Sequence, residues 1–193
     1  HTKATDGRYS LEDMVRGAGK KGYEYVAVTD HSKKGTVANG LDKKRLRRQI
    51  EEIDKLQDKF KKIRILKSIE LDILEDGSLD LPDDVLKELD FTVCSVHYNV
   101  NLSREKQTSR VLKAMDNPHV NIIGHPSGRL IHERKPLDLD MEKLMQAAAE
   151  RHIHFEINSH PDRLDLDDAF CKLGKEIGIK MAVATDAHSI DDL

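Results

Sequence analysis

Met181-Ala182-Val183-Ala184-Thr185-Asp186-Ala187-His188-Ser189 decides the reading of this 193-residue chain. The apolar run Met181–Ala184 has the length and composition of a buried strand. Just past its end stand Asp186 and His188, two metal-ligand residue types two positions apart. The arrangement recurs: Tyr25-Val26-Ala27-Val28-Thr29 runs into Asp30-His31, Ser95-Val96 into His97, and Ile123-Gly124 into His125-Pro126, while the chain opens on His1. A lone His after a strand is more often a hydrogen-bonded packing residue than a ligand. Five of them at five strand ends point to a scaffold that gathers them around metal.

Outward from these points, strands and helices alternate. Ser10-Leu11-Glu12-Asp13 resembles a capping box and predicts a helix ending near Gly22. A strand is predicted at 23–29, a polar loop with two lysines at 32–40, and a long helix at 42–60 with Leu46, Ile50, Ile53 and Phe60 on one face. Residues 63–71 read as one strand reaching Glu70 and Asp72, and Glu75-Asp76-Gly77 as a turn. Pro82 opens a short helix to Leu89. Strands follow at 91–96, 120–123, 154–158 and 180–184, and helices at 103–115, 140–151 and 165–177, the last stopped by Gly178. Six strands are visible, and His1 reads as the end of a seventh. Alternation of this kind means βαβ units and a parallel sheet. Candidate ligands at six different strand ends favour an α/β barrel, which carries its chemistry at the C-terminal ends of its strands. An open sheet would concentrate it at one switch point.

Composition narrows the function classes. The net charge of −3 implies no bulk attraction to nucleic acid, although a local basic patch is compatible with it. No Trp and few aromatic residues argue against a base-stacking platform. Cys94 and Cys171 have no CxxC spacing and read as reduced core residues. No apolar run approaches membrane-spanning length and no signal peptide is present, so a cytoplasmic, membrane-free protein is expected. The start on His1 without Met, and the end just after the last motif, predict a single domain over 1–193 cut from a longer chain.

The candidate ligands are His1, Asp6, His31, Glu70, His97, His125, Asp186 and His188. Imidazoles with carboxylates suit zinc, manganese or iron(II). Eight donors exceed the three or four of a single catalytic zinc, so two to three divalent ions are expected, with a carboxylate such as Glu70 bridging. Multi-metal sites with open positions serve phosphoryl chemistry. Asp30 reads as a loop cap or as a residue orienting a ligand, Asp72 and Asp76 as turn or surface residues. His119, His132, His152, His154 and His160 end no apolar strand in this manner and read as surface or packing residues.

The motifs Thr29-Asp30-His31-Ser32, Glu70, Ser95-Val96-His97, Gly124-His125-Pro126 and Thr185-Asp186-Ala187-His188 resemble those of the PHP (polymerase and histidinol phosphatase) domain. The runs 124–130 and 156–166, with the opening Thr5-Asp6-Gly7, resemble the C-terminal PHP domain of bacterial and archaeal family X DNA polymerases. The resemblance implies a distorted, TIM-like (β/α)7 barrel holding three metals. His1, Glu70 and Asp186 would share one, Glu70, His97 and His125 a second, and Asp6, His31 and His188 the third. The family's first motif is His-x-His, whose first His would precede this chain, so the first strand is expected to be truncated. Arg129 and Arg163, in loops on the metal face, could hold a phosphate bidentately. Lys33-Lys34-Gly35 could track a phosphate backbone, whereas the basic run 43–48 reads as a solvated helix face. Glu70, Asp186, Arg129 and Arg163 are the expected catalytic residues. The implied activity is metal-dependent hydrolysis of DNA ends (3′–5′ exonuclease, 3′-phosphatase or abasic-site nuclease), in DNA repair, beside a polymerase domain of the same chain. The alternatives are a histidinol-phosphatase-like enzyme for small phosphate esters and a non-catalytic structural PHP domain.

Overall fold

The structure, a computed structural model, describes residues 1–35 and 38–193, so the predicted loop 32–40 lies partly outside the described residues. The Ser10 hydroxyl accepts from the Asp13 amide and opens α1 (Leu11–Lys20), which is followed by β1 (Tyr25–Val28). Asp42 caps α2 (Lys43–Lys59) in the same manner, its carboxylate accepting from the Arg45 amide. The buried side of α2 carries Leu46, Ile50 and Ile53, as their spacing predicts, with Phe60 packed against the cluster that holds Ile53. Then come β2 (Arg64–Lys67), β3 (Glu70–Asp72), α3 (Asp83–Leu86), β4 (Val93–Ser95), α4 (Arg104–Ala114), β5 (Ile122–Ile123), α5 (Met141–Arg151), β6 (His154–Asn158), α6 (Asp168–Glu176), β7 (Met181–Ala184) and a 3-10 turn at Ile190–Asp192.

All strand pairings between these elements are parallel. β1 pairs with β2, and β3 to β7 pair in chain order. The single strand predicted at 63–71 is in fact two. Its first half pairs with β1; at Ser68-Ile69 the chain begins to use its other edge, the Val93 amide donating to the Ile69 carbonyl. Strand period cannot foretell this, because the change of partner is tertiary. The first side is not abandoned at once: the Ser68 and Glu70 amides donate to the Val28 and Asp30 carbonyls. The two sheets are thus joined along one bent segment into a parallel α/β fold, as in a distorted barrel.

His1 lies in no strand of the described residues. Residues 1–8 instead cross the C-terminal ends of β1 and β7. The Asp30 carboxylate accepts from the Thr2 amide and hydroxyl at 2.6 and 2.7 Å, the Thr5 hydroxyl at 2.5 Å and the Gln49 amide group at 2.5 Å. The Arg8 amide donates to the His188 carbonyl. Asp30 is therefore the loop cap, fully buried and fully partnered. A Cβ on Gly7 would lie 2.6 Å from the His1 carbonyl group, so the tight turn back past His1 requires glycine.

The main core lies between β3–β6 and the helices α4 and α5, with Leu71, Ile73, Val111, Leu144, Met145 and Phe155 buried. Each such side chain contributes roughly 1.5–3 kcal/mol. Cys94 lies in this core, where burial pushes its thiol up to about 12; both cysteines are free. A smaller core joins α1 and α2 to β1 and β2 through Leu11, Val15, Val28, Ile53 and Ile65. Among the described residues β1 and β7 each pair on one side only. Between them lies a cavity of about 870 Å³, lined by Val26, Val28, Phe91, Ile122 and Met181 and reaching His1, Glu70 and His125. Tyr25 and Val183 stand 65% and 73% exposed at this seam. Among the described residues no helix is long and apolar enough to cross a membrane.

Candidate metal centre

The segments after β1, β4, β5 and β7 and the first residue of β3 deliver candidate ligands to one face. Glu70, in β3, is the hub. Its Oε1 lies 2.9 Å from His125 Nε2 and 3.2 Å from His97 Nε2, while Oε2 lies 3.3 Å from His31 Nδ1 and 3.5 Å from His1 Nε2. One carboxylate thus faces two separate pairs of imidazoles, one pair on each oxygen. His1 Nε2 also meets Asp186 Oδ1 at 3.1 Å. Asp6 Oδ2 lies 3.5 Å from both His31 Nε2 and His188 Nε2. The His1 ring is stacked between His31 and His188, with centroids 4.4 and 4.1 Å away.

The local backbone shows why these residues converge. His125 (φ 26°) and Asp186 (φ 53°) occupy the left-handed region that non-glycine residues avoid. Strain of this kind persists only where the surroundings over-determine it. Before His125, a Cβ on Gly124 would meet Ser95 Oγ at 2.4 Å and Val93 Cγ1 at 2.6 Å, so β4 and β5 approach this closely only with glycine there.

The donor set fits metal. Three groups bring one ligand atom per residue within 4.8 Å of one another: His1, Asp6, His31 and His188; His31, Glu70 and His97; His1, Glu70 and Asp186. Nitrogen and oxygen ligands about 2.0–2.1 Å from a tetrahedral ion lie roughly 3.4 Å apart, close to several of the separations above. His1 Nδ1 and His125 Nδ1 are buried with no hydrogen-bond partner, and the nitrogens that face the carboxylates are their Nε2 atoms. His97 Nδ1 lies 2.8 Å from Asp72 Oδ1, the carboxylate–histidine pairing that fixes a ligand's tautomer and orientation.

The electrostatics are those of a site built for cations. Burial opposes charge on His1, but the Asp186 hydrogen bond and the Glu70 and Asp186 charges outweigh it and raise its pKa to about 9. Burial likewise opposes charge on His97, and Glu70 and Asp72 raise it to about 10. Glu70 is held well below the usual carboxylate range against its own burial by His97 and His125. Asp6 falls to about 2 because the His188 hydrogen bond and the His31 and His1 charges outweigh burial.

Several residues here were not predicted. Asp72, read as a turn or surface residue because a turn signal follows it, is buried against His97; strand alternation from Glu70 would have placed it on the same face. Glu156 accepts from the His125 amide at 2.5 Å, and burial pushes its carboxyl up to about 7. Asn158, two residues on and buried, donates to Asp186 Oδ2 at 2.9 Å. The polar alternation Glu156-Ile157-Asn158 in a buried strand was the available signal. The helix predicted from Asp165 starts at Asp168 with Asp167 as its cap. Asp165 is instead buried, accepting from the Ser127 and Gly128 amides at 3.1 and 2.8 Å. Arg163 Nε lies 3.3 Å from Asp186 Oδ2, and its Nη1 is buried without a partner. Arg129 directs its guanidinium to the Arg163 and Leu164 carbonyls.

The family profile of the PHP domain matches residues 1–160. The chain is 42% identical over its full length to the DNA polymerase/3′-5′ exonuclease PolX of Bacillus subtilis (strain 168), of which it spans 34%. It is 33% identical to a probable phosphatase of Thermoanaerobacter sp. (strain X514), over 97% of this chain and 76% of that protein. A histidinol phosphate phosphatase of Lactococcus lactis subsp. lactis, solved with zinc, L-histidinol and phosphate, superposes with a TM-score of 0.71 at 19% identity, covering 98% of this chain and 84% of that one. The strand-end histidines gathered around Glu70 accord with the profile match: this chain belongs to the PHP domain family.

Proposed function

We propose that the chain is a metal-dependent phosphoesterase acting on DNA 3′ ends, as the PHP domain of a PolX-type polymerase. Glu70 carries this reading, because each of its oxygens faces its own pair of imidazoles. In it, His1, Glu70 and Asp186 hold one ion, Glu70, His97 and His125 a second, and Asp6, His31 and His188 a third. Divalent ions, when bound, supply Lewis acidity to a phosphate ester and acidify water. The protein residues orient the ester. Arg163, part-exposed beside Asp186 and with its Nη1 lacking a partner, would turn its guanidinium to a phosphate oxygen. Lys34, its Nζ 5.2 Å from the ring centroid of Tyr98 next to His97, would track the strand, with Lys33 beside it in sequence.

The 42% identity to PolX favours DNA ends. The 33% identity to a probable phosphatase favours a second reading, a small phosphate monoester as substrate. Degradation of 3′-labelled single-stranded and primer-end DNA in added Mn²⁺, measured beside hydrolysis of histidinol phosphate, separates them. Loss of nucleotides from the 3′ end, abolished by EDTA, is the expected result. Fast hydrolysis of histidinol phosphate with DNA untouched transfers the assignment to the second reading. No activity on either, at full metal occupancy, makes the domain a structural one.

A further inference from the structure

Arg163 is not placed by its own contacts alone. It precedes Leu164, which sits at φ 42° and is half exposed. A leucine gains nothing from that conformation and holds it only if its neighbours do the holding. The side chain that does so from outside the 160–165 turn is Arg129. Its Nε donates to the Arg163 carbonyl at 2.8 Å and its Nη2 to the Leu164 carbonyl. These two carbonyls bracket the strained residue, so the Nε–Nη2 edge of the guanidinium, the edge that would grip a phosphate side-on, is already committed to main chain. The loop that carries Arg129 is itself anchored. The Ser127 and Gly128 amides bind Asp165, the Ile131 amide donates to the Asp162 carbonyl at 2.6 Å, and Arg134 Nε donates to the Gly128 carbonyl at 2.8 Å. The two loops form one unit, with Arg163 projecting from it toward Asp186.

We infer that Arg129 is a positioning residue: it holds the 163–164 main chain so that Arg163, and not Arg129, meets the substrate phosphate. The inference rests on the phosphoesterase reading for the role of Arg163, but the geometry of the clamp does not depend on it. If Arg129 acts only through Arg163, the two residues cannot contribute independently.

The test is a double-mutant cycle on the metal-loaded chain, read as inhibition by inorganic phosphate and as kcat/KM on p-nitrophenyl phosphate, with metal content measured for each variant. Arg163→Ala is expected to weaken both by about 10- to 100-fold, the range of a charge-assisted hydrogen bond. Arg129→Ala is expected to lose a similar or smaller factor, and the double variant to match Arg163→Ala within about twofold. Arg129→Lys keeps the charge but cannot bracket two carbonyls, so it should behave as Ala does. Multiplying losses in the double variant, or full retention in Arg129→Lys, would overturn the inference, because either means that Arg129 meets the phosphate itself. Hydrogen exchange supplies a readout independent of activity. The Arg163, Leu164 and Asp165 amides are hydrogen-bonded to His160 and Asn158 carbonyls. Arg129→Ala should accelerate their exchange, and Arg163→Ala should not. Unchanged exchange in Arg129→Ala would dismiss the clamp. A wild-type chain that neither binds phosphate, nor hydrolyses the ester, nor degrades DNA 3′ ends, yet exchanges as described, would remove the phosphoesterase reading and keep the clamp.

Discussion

The strand-end face and the β1–β7 seam are short of partners in opposite ways. At the face, buried imidazole nitrogens and carboxylates crowd together, and His1 and His125 each keep an unpartnered ring nitrogen. At the seam, apolar side chains line a cavity of about 870 Å³, and Val183 and Tyr25 are turned out to solvent. Charge at the first can be satisfied only by charge, whereas hydrocarbon at the second calls for more hydrocarbon. The regions meet at His1 and Glu70, which belong to the centre and also border the cavity. Changes at the face should therefore move metal and activity, and changes at the seam should move stability.

The largest effect is expected from Glu70→Ala. It strips the shared carboxylate from four imidazoles at once, so metal content and hydrolysis should fall together. Several kcal/mol of catalytic stabilisation, roughly 10³-fold in rate, is the expected scale. Full metal content with a loss under tenfold would show that Glu70 bridges nothing.

Next is the response to pH with and without chelator. In the metal-free protein His1 and His97 have pKa values of about 9 and about 10, above the ordinary 6.5. Their contribution to stability is complete below about pH 6.5 and disappears as pH rises through 9 to 10. Glu70, Asp6 and Asp186 are depressed, so theirs is complete above about pH 4.5 and disappears as pH falls through their folded values. Chelated protein should be most stable near pH 5–6 and weaken toward pH 9. Metal-loaded protein should gain relative to it over the same interval, because ligands bind metal deprotonated. Parallel thermal-melting curves from pH 6.5 to 9 would contradict the centre described here.

Asp72→Asn should be milder. It keeps shape and removes the charge behind His97, and outer partners of this kind typically cost 10- to 100-fold in metal affinity or activity. A metal titration followed by elemental content checks it. Smallest of all is Val183→Ser. With Val183 exposed, stability of this 193-residue chain should change by about 0.5 kcal/mol or less. In a chain extended before His1, a strand seated in the seam should raise the cost to about 1–2 kcal/mol. The same Val183→Ser shift in denaturation midpoint in both chains would leave the seam unfilled.

The convergence of the strand-end histidines was legible because its signal is local: an apolar run, then a His. The alternation of strands and helices, and the cap at Ser10, were legible for the same reason. The division of 63–71 was not, since the bend at Ser68-Ile69 reflects a change of pairing partner outside the segment. Asp72 and Asp165 were misread because turn and helix-start signals are also local, and each carboxylate is claimed by a distant group, His97 in one case and the Ser127–Gly128 amides in the other. Arg129 and Arg163 looked alike in sequence, both following motifs on the metal face. Only the hydrogen bonds separate the one that grips main chain from the one left with a free donor.

Elemental analysis of the chain purified without chelator tests the central claim most directly. Two to three transition-metal ions per chain are expected, falling in Glu70→Ala. Zero or one ion in the wild-type chain, with the fold intact by circular dichroism, would contradict the multi-metal centre.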